Sequence, residues 1–157
     1  MRGPHHMKNG EREREREVFT IEAANALLPT LSALVTRQFG RRTEIEDRLK
    51  SLSALVGEVP SDLTPQDTDA EHVREVKRDL VQRINEYQEG WRDVEALGAV
   101  VKDPRIGLLD FFGEVDGRAV WLCWKYGEPE VGHYHALDEG FAGRRAIRTS
   151  LRQRMLN

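Results

Sequence analysis

The sequence predicts an α+β fold, a long antiparallel two-helix hairpin packed with a small antiparallel β-sheet. Three observations predict it. Apolar residues recur at helical spacing through two long segments, 21–56 and 73–94. A polar loop rich in Pro, Asp and Thr separates those segments. After Gly98 the pattern changes to short runs rich in β-branched and aromatic residues, two of them joined by Asp116-Gly117.

In the first helix Ile21, Ala24, Leu28, Leu31 and Val35 recur at steps of three and four. Ile45, Leu49, Leu52 and Val56 resume the stripe after a polar gap at Gln38 and Arg42, so one seam holds over roughly ten turns, as in a coiled coil. Thr20 is the expected N-cap, with Glu22 in the first turn, where the helix dipole favours a negative charge. Pro29 is expected to kink or break the helix, Gly40 is a second weak point, and Gly57 with Pro60 supplies the stop. The second helix is expected to start near Asp67–Asp69. Its stripe runs Val73, Val76, Leu80, Ile84, Tyr87, Trp91, Val94, and Asp79 with Arg83 forms an i,i+4 pair on the exposed face. Both stripes are narrow, so two helices alone leave apolar surface wet. A homodimer with a four-helix arrangement is the expected remedy.

The expected strands are Ala99–Lys102, Gly107–Val115, Arg118–Lys125 and Glu130–His135. Asp116-Gly117 is a strong hairpin signal, because a type I′ turn needs positive φ at both central positions. Along Arg118–Lys125 both faces are apolar, which suits a central strand covered on both sides.

Bulk properties limit the functions available. The 157 residues suffice for one domain with a core. Residues 1–17 read as a disordered charged tail, 18–147 as a single domain (18–98 the hairpin, 99–147 the sheet and site loop), and 148–157 as a basic tail. A net charge of −3 gives no electrostatic case for nucleic acid or an anionic membrane. Five arginines and no acid follow Gly140, but without interleaved aromatics they do not make a single-strand binder. One cysteine excludes an internal disulfide, and no apolar run approaches the ~20 residues of a membrane span. A soluble, cytoplasmic protein is the expectation.

Chemically capable side chains concentrate in Val120–Arg145. His133 and His135 lie two apart on an expected strand and so leave the same face; Asp138 and Glu139 follow after a bend. Two imidazoles and one or two carboxylates suit zinc, iron or manganese. The plainer reading turns Tyr134 inward and leaves the histidines to solvent. Cys123, with His135 as base and Asp138 or Glu139 as orienter, would make a nucleophile. Its place between two tryptophans favours a buried apolar filler instead. Asp138 and Glu139 are also placed to cap the following turn or to pair with Arg144 and Arg145.

Three segments, FTIEAANALLP at Phe19–Pro29, VKDPRIGLLDF at Val101–Phe111 and VWLCWKYGEPEVGHYHALDEGFAGRR at Val120–Arg145, resemble the bacterial family known as domain of unknown function 2203. The resemblance spans Val18 to about Ile147. It implies a cytosolic bacterial protein of one small domain and carries no reaction, so whether the chain is an enzyme stays open. The family's last segment usually reads aromatic-Trp-His before Gly-Phe-x-x-Arg. His135, Gly140, Phe141 and Arg144 fit that form, Tyr134 replaces the tryptophan, His133 stands where a non-histidine is usual, and Ala146 replaces a proline. The resemblance therefore favours a shared ligand site of His135, Glu128, Asp110 and Arg144 over the His-x-His pair. The leading functional expectation is an oligomeric interaction or scaffold protein assembled through its hairpin. The alternative is a metal- or small-ligand-binding protein with its site around His135.

Overall fold

A computed structural model of the chain describes residues 17–147, so the expectations for the two tails (all but Glu17 of the first) lie outside the described residues. The chain forms two compact units, residues 17–28 with 98–147, and Pro29–Leu97. Two helices and a five-stranded antiparallel sheet make it an α+β fold.

Helix α1 (Ile21–Val56) from Pro29 onward and helix α2 (Glu71–Ala96) supply the Pro29–Leu97 unit. The cap is as expected: the Ala23 amide donates to Thr20 Oγ1 at 3.0 Å. Gly57 ends α1 with a φ of 82°, and its amide donates to Ser53 O at 2.8 Å. Pro29 does not break the helix. It is exposed and lies between buried Leu28 and Leu31. Its position coincides with the boundary between the two units. Helix α2 starts at Glu71, later than Asp67–Asp69, because Asp69 is otherwise engaged. Its Oδ2 accepts from the Gln66 amide at 2.9 Å and from the buried Lys77 Nζ at 2.8 Å, closing the loop.

The helices run antiparallel. Gln38 meets Tyr87, Glu44 meets Arg83, and Arg48 meets Asp79, which also holds Arg83 at 2.9 Å. Leu31, Val35, Leu52, Leu80 and Val94 are fully buried. Each such aliphatic side chain contributes roughly 1.5–3 kcal/mol. The polar gap in the stripe proves to be a buried lock. Gln38 Nε2 donates to Tyr87 O and its Oε1 accepts from Arg41 Nη1, both at 2.7 Å. Gly90 makes room for it, since a Cβ there would stand 2.0 Å from Gln38 Oε1. Elsewhere Ile45, Leu49, Val73, Val76 and Ile84 are only half-buried, and Leu55 and Val56 are exposed.

The other unit is a meander of β1 (Val100–Asp103), β2 (Leu108–Val115), β3 (Arg118–Lys125), β4 (His133–Ala136) and β5 (Arg145–Ala146), in that order across the sheet. Asp116 and Gly117 have φ of 51° and 76°, the two positive values that the tight hairpin requires. Their turn fixes the β2–β3 register, with Asp110 opposite Cys123 and Phe112 opposite Trp121. On β4, His133 lies opposite Cys123 and His135 opposite Trp121. This strand is shorter than Glu130–His135, because the Val131 amide donates to Asn25 Oδ1 at 2.7 Å instead of joining the ladder.

Parity gives the sheet two apolar faces, as expected for a covered β3. Leu109, Phe111, Leu122 and Trp124 share the face to which the start of the chain is fastened. Phe19 stacks edge-on to Phe111 with centroids 5.2 Å apart, and its amide donates to Phe112 O at 2.7 Å. Ile21 and Ala24 follow, both fully buried. The opposite face carries Asp110, Phe112, Trp121, Cys123, His133 and His135.

Candidate metal centre

Strand register assembles the site on that second face. The hairpin sets Asp110 beside Cys123, and β4 brings His135 alongside from the other edge of β3. A carboxylate oxygen of Asp110, the sulfur of Cys123 and a ring nitrogen of His135 all lie within 4.8 Å of one another. The three residues are buried, at 0%, 0% and 2% exposure. A sheet interior rarely collects three such groups without a purpose, because each polar group buried without full pairing costs free energy.

The hydrogen bonds locate a proton. His135 Nδ1 lies 2.9 Å from Ala136 O, a carbonyl that can only accept, so Nδ1 carries hydrogen. His135 Nε2 lies 2.8 Å from Asp110 Oδ2, and that contact closes only with one further proton between the two groups. Burial raises the Asp110 carboxyl above its ordinary value, with the charge of His135 pulling the other way. Asp110 Oδ1 is buried and accepts no hydrogen bond among the described residues. Burial, and then the charge of Asp110, push the Cys123 thiol far up, so the free protein holds it as S–H. Both His135 nitrogens are engaged away from sulfur, which removes the Cys–His nucleophile geometry.

A second cluster stands beside the first. Arg144 Nη2 donates to Glu128 Oε1 and Oε2 at 2.7 and 2.8 Å, and to His133 Nδ1 at 2.7 Å. Glu128 is itself fixed by the Lys125 amide at 2.6 Å, in a turn that Gly127 makes with a φ of 97°. His133, which Arg144 reaches, lies directly opposite Cys123, so the two clusters are neighbours. A 3-10 turn, Phe141–Gly143, connects them, its Phe141 ring lying 4.9 Å from the Arg144 guanidinium.

The sequence profile of an uncharacterized conserved protein family, DUF2203, matches residues 17–147. The chain belongs to that family. Neither the curated proteins nor the solved structures contain a match to it.

For this DUF2203 chain, the residues favoured at the sequence level sort into two groups. Asp110 and His135 meet in the buried cluster; Glu128 and Arg144 meet in the outer one, with His133. The His133–His135 pair does not converge, since His133 is turned to Arg144. Asp138 is exposed, and Glu139 serves the turn, accepting from the Ala136 amide and Arg145 Nη2, each at 3.4 Å. Cys123, read from sequence as filler, is the added member. A signal for it was present: a two-residue Asp116-Gly117 loop pairs residues whose numbers sum to a constant, and it sets 110 against 123.

Proposed function

We propose that the protein binds a divalent transition-metal ion through Asp110, Cys123 and His135. The buried convergence of these three ligand atoms within 4.8 Å carries the reading. Two ligands about 2.0–2.3 Å from a shared ion stand at most about 4.6 Å apart, so side-chain adjustment alone could close the site. Thiolate, imidazole and carboxylate favour zinc or iron over magnesium or calcium. Charge supports the reading as well: a thiolate, a carboxylate and a neutral imidazole leave a divalent ion electrically balanced, the arrangement a buried site needs. Three protein ligands leave a fourth position for water or a small ligand.

The test is zinc titration of the metal-free full chain. One zinc per chain is expected, with binding lost in Asp110→Asn and His135→Ala. The side-chain amide introduced by Asp110→Asn can still donate to a neutral His135, so the fold, followed by circular dichroism, is expected to survive that change. Equal zinc affinity in the natural protein and both variants would overturn the assignment.

A further inference from the structure

We infer that residues 137–144 form a lid over the Asp110–Cys123–His135 cluster, latched by the Arg144–Glu128 ion pair, and that the latch sets how fast the cluster opens to solvent. The lid rests on the metal reading only for what it admits. Four observations place it. The 3-10 turn Phe141–Gly143 packs on β4, the strand that presents His135. Phe141 lies near two cations of the cluster's face, Lys125 Nζ at 5.9 Å and Arg144 at 4.9 Å. Arg144, its side chain only 10% exposed, grips both oxygens of Glu128 and reaches His133, the residue directly across from Cys123. At the far end of the lid the Glu139 amide donates to Ala136 O at 3.1 Å, and the Glu139 carboxylate accepts only longer bonds, from the Ala136 amide and Arg145 Nη2, each at 3.4 Å.

The asymmetry decides which contact governs opening. A charge-assisted pair with short bonds to both carboxylate oxygens holds far more firmly than an exposed contact at 3.4 Å. Glu128 does not move with the lid, being pinned by the Lys125 amide, while its own carbonyl accepts from Trp124 Nε1 at 2.9 Å. The latch thus joins the end of the segment between β4 and β5 to a fixed turn. Gly140 lies midway along that segment, where a Cβ would meet nothing within 4 Å.

Cys123 is the only cysteine in the chain and is fully buried, so thiol labelling reports opening without any metal. On the metal-free full chain, Glu128→Gln is expected to label roughly tenfold faster with an aromatic disulfide reagent, since one charged hydrogen-bonded partner is lost. Arg145→Gln, which removes only an exposed contact, is expected to stay within about twofold. Low urea should change the labelling rate little, because lid opening exposes far less surface than unfolding. Equal labelling of Glu128→Gln and the natural protein would overturn the lid, as would a urea dependence as steep as that of global unfolding. Zinc association, measured alongside, is expected to accelerate in Glu128→Gln. If zinc fails to bind the natural protein while labelling behaves as stated, the metal reading falls and the lid stands.

Discussion

Cys123 and Asp110 have their acid–base chemistry altered by the fold, and both alterations are measurable. For the thiol, folded and unfolded chains carry the same proton at neutral pH. Above its ordinary value of 9.0 the unfolded chain releases that proton while the folded chain, with its thiol held up by burial and Asp110, retains it. The unfolded state then binds fewer protons, so stability falls as pH rises beyond about 9. Cys123→Ala removes the term. At pH 7 the variant is expected to be less stable by about 1 kcal/mol, from a small cavity. That deficit should shrink in urea titrations at about pH 9.5–10.5, and a constant deficit would refute the buried-thiol account. Asp110 has the same sign at lower pH: its raised carboxyl favours the protonated folded form, and that contribution is lost as pH climbs from 3.8 through the folded value. Metal-free Asp110→Asn is therefore expected to be at least as stable as the natural protein at pH 7, even though it would lose a ligand of the proposed zinc site.

At the scale of elements, helices and hairpin were largely legible because their signals are local. Thr20, Gly57, Gly98 and Asp116-Gly117 each act through neighbouring backbone, and each acts where the sequence says. Gly98 gives a sharp test. It follows α2 with a φ of 103°, and a Cβ there would lie 2.5 Å from the Phe19 ring. Gly98→Ala combines left-handed strain with that clash and is expected to cost roughly 2–3 kcal/mol, seen as a lower urea midpoint at unchanged slope. The later start of α2 and the shorter β4 were not legible, because they depend on partners far along the chain: Lys77 for Asp69, and Asn25 for Val131. The buried lock at Gln38 was hidden for the same reason, since its partners Tyr87 and Gly90 come from the other helix. For the site, parity put His133 and His135 on one face, but parity does not say where a ring turns. Asp110 captures one imidazole and Arg144 approaches the other, and only the assembled register separates them.

For the whole molecule, the proposed metal binding would be linked to folding, and that linkage has a distinctive pH signature. No helix among the described residues is long and apolar enough to cross a membrane. A ligand that binds only the folded state stabilises it by about 2.7 kcal/mol when its free concentration is a hundred times its Kd. For a chain of this length that corresponds to a rise in Tm of roughly 5–10 °C. Zinc must displace the Cys123 thiol proton and the proton shared by Asp110 and His135 before its ligands are complete. Binding should therefore release about two protons per ion, so that affinity climbs with pH for as long as the free protein holds those protons. A surface site of scattered carboxylates would release almost none at neutral pH. Calorimetry in two buffers of different ionisation enthalpy counts the protons directly. About two are expected for the natural protein and about one for Cys123→Ser, which keeps the shared proton but has no thiol to ionise. Proton release near zero in the natural protein would mean that zinc sits elsewhere, whatever its effect on Tm.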